Sequence, residues 1–234
     1  MSTPSSAFLK QLRKMIHPSD PRIGALGDVV LSTSLIARGR DIVPLGSTER
    51  RVLAIGEGIA MRYRLLPDGG RQIFMFLLPG DACNPNLFNA TPMDHAIAAV
   101  TPVRLEQIPH DSMLVLLKKV PEVNQALWSM ADQQTAVMRD RIMGLGRCDA
   151  RIRVALLLWE LVMRLRVSEA QVMPVVIPIT QALLADAVGV THIHFNRIVS
   201  EFCRLGILAT QRGRLFVTNP RSLQVIASEI TCAA

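Results

Sequence analysis

The sequence predicts an α+β chain in which a strand-rich N-terminal half, one long helix and a helical C-terminal third follow one another. Three observations carry this. Residues 23 to about 110 break into short apolar runs divided by turn signals. Residues 121–142 hold a seven-residue repeat, and residues 179–203 read as two capped helices about one glycine.

The bulk of the chain sets the frame. Of 234 residues half are hydrophobic and 19% charged, enough for one large or two modest folded domains. No uninterrupted apolar run approaches the roughly 20 residues that span a bilayer, and the richest, Val154 to Met163, is broken by Glu160. The first 20 residues mix Lys10, Arg13, Lys14, His17 and Asp20 and lack the apolar segment of a secretory signal, so a cytoplasmic protein is expected. Net charge is +7, and only four of the 26 basic residues are lysine. Arginine presents a fork of donors that suits phosphates and guanine edges, so a polyanionic partner is favoured. Cys83, Cys148, Cys203 and Cys232 are scattered, with no metal-binding spacing, and read as reduced, quiet thiols.

In the N-terminal half, Arg51–Ile55 and Ile59–Leu65 read as strands. Pro67-Asp68-Gly69-Gly70 is a turn, because glycine supplies the positive φ that hairpins need. Arg71–Leu78 returns as a strand, closed by Pro79-Gly80-Asp81. Strands this short and evenly punctuated predict an antiparallel sandwich or barrel. A long helix follows from Pro121 to Ile142. Val123, Leu127, Met130, Gln134, Val137 and Arg141 step by 4, 3, 4, 3, 4, the spacing of a coiled-coil seam. That stripe is either a parallel dimer interface or the face the helix lays on its own domain. Gly144 and Gly146 are expected to end the helix and form a hinge.

From residue 147 onward the pattern is mostly helical. Asp149 can cap a helix through Leu156, Leu157, Trp159, Leu161 and Leu165, with Trp159 in the core; Val167 to Pro178 is a loop or short strand. Thr180 then caps a short helix whose apolar face is Leu183, Leu184, Ala187 and Val188. Gly189 permits a tight turn, and Thr191 caps a second helix with Ile193 or Phe195, Ile198, Val199 and Phe202 inside. Two helices on a short glycine turn form a helix-turn-helix, whose second helix enters the DNA major groove. His192, His194, Asn196 and Arg197 are then outward and can bond bases or phosphates; a plain helical hairpin with a solvated face is the alternative. Leu205-Gly206-Ile207-Leu208 leads into Thr210-Gln211-Arg212-Gly213-Arg214 and Leu215-Phe216-Val217, two short strands about a basic turn. Arg212 and Arg214 there either grip phosphates or are ordinary solvated turn residues.

These motifs, in this order, resemble the CRP/FNR superfamily of bacterial transcription regulators over residues 23 to 230. The likeness rests on Leu66 through Ile73 and Phe76 through Asp81 in the first half. In the second it rests on Ile179 through Arg197 and on Gly206-Ile207-Leu208. The resemblance implies a β-roll like that of cyclic-nucleotide-binding domains with an N-terminal helix (1–120), a dimerisation helix and hinge (121–146), and a winged helix-turn-helix domain (147–234). It also implies a homodimer on a pseudo-palindromic operator, with RNA polymerase as a further partner and no membrane. The DNA-contacting set is Thr180, Gln181, Thr191, His192, His194, Asn196, Arg197, Arg212 and Arg214, with Arg197 on a guanine or a phosphate.

The departures narrow the ligand. Where cyclic-AMP-binding members carry a Gly-Glu pair and then a phosphate-binding arginine, this chain has Asn84-Pro85 and Asp94-His95, and a carboxylate repels a phosphate. Iron–sulfur members place several cysteines near the N-terminus, whereas the first here is Cys83. No cofactor is therefore expected, with a haem on His17 or His95 left open. Ile193 cannot accept a hydrogen bond from cytosine, so the operator differs from the commonest ones. Cys203 on the second helix is either a core thiol or a site where oxidation blocks DNA binding. The rival reading is a haem- or small-molecule-binding sensor that signals through protein contacts. Catalysis is not expected, since GxSxG, HExxH, P-loop and GxGxxG motifs are missing.

Overall fold

Short β-branched and aliphatic runs in the first half become two antiparallel sheets. The computed structural model describes residues 6–18, 20–83, 91–169 and 173–229. Strands β1 (Ser32–Ile36), β7 (Val103–Ile108) and β3 (Val52–Glu57) form one sheet in the order β1-β7-β3. Strands β2 (Asp41–Val43), β6 (Ala96–Ala99), β4 (Ala60–Leu65) and β5 (Arg71–Leu77) form the other, in the order β2-β6-β4-β5. Register on the first sheet sets Val52 opposite Ile108 and Ile55 opposite Leu105. Ile55, Ile59, Ile73, Met75, Phe76, Leu77 and Ile97 are buried at 2% exposure or less, so the scarcity of aromatics is met by aliphatic packing. Gly58, between β3 and β4, has φ +84°, and a Cβ there would lie 2.1 Å from the Pro102 carbonyl. Only glycine fits.

Strand β3 is buried along both faces rather than alternating, because helix α1 (Ala7–Met15) packs on it through Phe8 and Leu12. The start of α1 sits on a buried carboxylate. Glu106 accepts from Ser6 Oγ (2.6 Å), Ala7 N (3.0 Å) and Phe8 N (3.3 Å), so its charge meets the positive end of the helix. A 3-10 helix (Pro21–Asp28) and α2 (His110–Lys119) complete this part.

Helix α3 (Glu122–Arg147) runs straight through both glycines that were expected to end it. Gly144 is buried, and a Cβ there would meet Leu156 Cδ1 at 3.5 Å, an ordinary contact, so the helix passes through a position where the surroundings do not demand glycine. The break falls instead at Cys148–Asp149, where Asp149 Oδ1 accepts from Ile152 N at 2.9 Å and opens α4 (Ala150–Glu169).

The stripe expected as a dimer seam faces inward. Val123, Met130 and Gln134 are at most 7% exposed, and Leu127 packs on the same core as Val123 and Met130. Gln134 Oε1 accepts from the buried Arg62 Nη2 at 2.9 Å, and Gln134 Nε2 donates to the Ala82 carbonyl. Val137 is half-buried, and Arg141 pairs with Glu160 at 2.6 Å. Three of the six are thus buried by the chain itself and the other three half-buried.

The chain divides into two compact units, Met1–Arg64 with Phe76–Ala136, and Leu65–Met75 with Val137–Ala234. In the second, α4 packs against α5 (Gln181–Val188), α6 (His192–Arg204) and α7 (Pro220–Ser228). A small sheet in the order β8 (Val175–Ile177), β10 (Arg214–Val217), β9 (Leu208–Gln211) closes it. The hairpin tip at 65–75 belongs to this unit by virtue of contacts such as Arg71 Nε to Asp186 Oδ2 at 2.8 Å. Among the described residues no helix is long and apolar enough to cross a membrane.

Candidate nucleic-acid interface

Both helices of the two-helix motif start on threonine caps. Thr180 Oγ1 accepts from Leu183 N at 3.4 Å and Thr191 Oγ1 from His194 N at 3.2 Å, satisfying amides that have no partner inside the helix. Gly189 closes α5 in the left-handed region, φ +65°, ψ +45°, the conformation that turns the chain within two residues. Leu184, Ala185, Ala187 and Val188 of α5 are buried, with Leu183 at their edge.

On α6 the choice between Ile193 and Phe195 is decided for Phe195. Phe195, Ile198, Val199 and Phe202 form the inner face, while Ile193 is 74% exposed. Arg151 of α4 fastens this helix: its Nε donates to Glu201 Oε1 at 2.8 Å and its guanidinium lies 5.6 Å from the Phe202 ring centroid. The outer face holds Thr191, His192, Ile193, His194 and Arg197. Asn196 is only half-exposed; its Oδ1 is covered, and its Nδ2 stands 3.4 Å from His192 Nε2. The sequence left Ile193 between an inner and a base-facing place; on the outer face its apolar side chain suits a thymine methyl. Its neighbour two places on, the larger Phe195, was the available signal.

Arg212 and Gly213, with φ of +50° and +74°, make the tight turn between β9 and β10. This turn lets the ribbon keep its twist. Arg212 and Arg214 are exposed, and among the described residues neither they nor Arg197 makes an ion pair. Three uncompensated guanidinium groups on one small unit are a potential anion footprint. Thr180 is exposed and Gln181 half-buried at the start of α5. Trp159, expected in the core, is half-buried and lines a cavity of about 290 Å³ with Leu156, Met163 and Arg153.

The other candidate groups sit as follows. Burial pushes the Cys83 thiol up to about 12, and it also raises Cys148 and Cys203, so none is primed as a thiolate. Asp94 is exposed and bonded to His95 Nδ1 at 2.7 Å. His95 is held below its usual value by burial, against the pull of Asp94. His17 is exposed. Asn84, Pro85 and Cys232 lie outside the described residues. Among those described, no group of three or more His, Cys, Asp or Glu side chains is placed to hold a metal ion.

Comparison with known proteins agrees with this geometry. Residues 152–226 match the Crp-like helix-turn-helix domain. The chain is 29% identical over 177 residues to the nitrogen fixation regulation protein FixK of Bradyrhizobium diazoefficiens, covering 74% of this chain and 72% of that one. It is 28% identical to the transcriptional activatory protein AadR of Rhodopseudomonas palustris, covering 76% and 73%. The fold is similar to that of FixK2 from Bradyrhizobium japonicum, with TM-score 0.71 and 23% identity over 85% of this chain and 98% of that one. A CRP-family regulator from Thermus thermophilus superposes with TM-score 0.67 at 19% identity, covering 83% and 96%. The chain thus carries a Crp-like helix-turn-helix domain and is similar, over about three quarters of its length, to bacterial transcription regulators such as FixK and AadR.

Proposed function

We propose that this chain is a homodimeric, sequence-specific DNA-binding regulator that sets two copies of α6 into successive major grooves of a pseudo-palindromic operator, about 34 Å apart. The observation that carries this is the outer face of α6. Four buried side chains fix its orientation and leave His192, Ile193, His194 and Arg197 exposed. Arg197 reads a guanine edge or fixes the adjacent phosphate, and the histidines add base contacts. Arg212 and Arg214 supply sequence-independent, salt-sensitive affinity. Thr180, Gln181 and Thr191 stand at helix starts, where side chains and backbone amides meet phosphates.

The protein works in the cytoplasm as a regulator rather than a catalyst, and it acts on transcription through RNA polymerase; the activator names of relatives such as AadR support that last step. Its effector is not cyclic AMP, because the exposed Asp94 carboxylate repels a cyclic phosphate. Operator fragments selected from random DNA provide the test. Arg197→Ala is expected to lower affinity for the selected site about 10- to 100-fold while leaving scrambled DNA nearly unchanged. Equal binding of both sites by wild type and variant overturns the role of Arg197.

A further inference from the structure

The cavity of about 290 Å³ lies wholly within the second compact unit, between the last turns of α3 and the length of α4. Its walls are mostly apolar: Val137 of α3, Leu156, Leu157 and Met163 of α4, and Val188 at the end of α5. Met163 is 43% exposed and Trp159 only half-buried, so the two helices do not fill the space between them with their own side chains.

The charges in this cleft are settled unevenly. Glu160 is clamped by two arginines, Arg141 Nη2 at 2.6 Å and Arg164 Nη1 at 2.7 Å. Arg153, about two turns earlier on α4, lines the same cleft and has no such acid. Among the described residues it makes no hydrogen bond or ion pair, and its Nε is shut off from solvent without an acceptor. A half-buried guanidinium beside apolar walls lacks both full hydration and a counter-charge.

We propose that the cleft binds a medium-chain aliphatic monocarboxylate, with its chain along the apolar walls and its carboxylate on Arg153. Glu160 displays the chemistry, since an acid in this cleft is held by arginine forks. Size sets the chain: the volume equals roughly ten molecules of liquid water, which a chain of about ten carbons fills. Charge sets the head group. Asp140 and Glu160 line the same cleft, so the second negative charge of a phosphate is repelled, while a neutral head leaves Arg153 uncompensated.

The position gives the occupant something to act on. A Cβ at Gly189 would lie 3.2 Å from Leu145 Cδ2 and 4.0 Å from Arg153 Nη1, so the Arg153 end of the cleft abuts the turn between α5 and α6. An acid bound there touches the segment that sets α6, which is where an effector is placed to bias it. The site itself does not depend on DNA reading, and its test needs no DNA.

Isothermal titration of the full chain with decanoate, and with decanol as the neutral counterpart, provides that test. Wild type is expected to bind decanoate saturably, one per chain. Arg153→Met should weaken decanoate about 10- to 100-fold, as for loss of a charged hydrogen-bond partner, and leave decanol unchanged. Met163→Trp, at a partly exposed wall position where the fold tolerates a larger side chain, should fill the cleft and abolish binding of both, with unchanged circular dichroism. Absence of saturable decanoate binding by wild type, equal weakening of acid and alcohol by Arg153→Met, or binding undiminished in Met163→Trp overturns the site.

Discussion

Helices α3 and α6 both display side chains to the outside, but they differ in how many apolar faces they own. Helix α6 has one, made of Phe195, Ile198, Val199 and Phe202, and everything opposite is polar except Ile193. Helix α3 has two, of which the Val123–Met130–Gln134 side is covered by the chain itself and the side with Trp128 and Ile142 is exposed. A single apolar face fixes a helix's orientation. Two faces leave that to the rest of the fold, and the uncovered one becomes an opportunity for association.

Truncating the covered faces gives the largest effect. Phe195→Ala is expected to destabilise its unit by about 3–5 kcal/mol and Met130→Ala its own by about 2–5 kcal/mol, read by denaturant unfolding. Equal loss from Trp128→Ala would erase the distinction between the two faces of α3. Next comes the polar link on the inner face. Gln134→Ala removes one acceptor from the buried Arg62 guanidinium, which retains the Ala82 and Cys83 carbonyls. A loss of about 1.5–3 kcal/mol is expected, as for a hydrogen bond to a charged group. A value near zero would mean that the link does not hold α3 to the sheet.

A smaller effect follows at the cap of α6, where Thr191→Ala should cost about 1 kcal/mol in unfolding experiments. No change would show that the cap bond is not formed in solution. The smallest lies at the basic turn. Arg212→Ala and Arg214→Ala should each reduce the slope of log affinity against log salt by about 1, equally for selected and scrambled DNA. A change confined to the selected site would recast these arginines as base readers.

The same contrast explains what was legible in the sequence. The α5–Gly189–α6 motif could be read because its signals are local: two threonine caps, one glycine and a contiguous apolar face. Strands β3 to β5 were visible for the same reason, through their hairpin turn at 67–70. The inward set of α6 was fixed only to a choice, Ile193 or Phe195, which packing against the rest of the unit decided. The stripe on α3 was legible only as a choice between a dimer interface and a face laid on its own domain, because periodicity finds stripes but does not say what covers them. Arg62 and Ala82, which claim Gln134, lie about 50 to 70 residues away in sequence. The hinge was placed at Gly144 and Gly146 because glycine usually ends helices. Here the helix continues past both, to Arg147.

Guanine-methylation interference on a selected operator tests most directly whether α6 reads DNA in duplicate. Two interference clusters about 10 base pairs apart, both weakened by Arg197→Ala, are the expected result. One cluster, or clusters indifferent to Arg197, would contradict it.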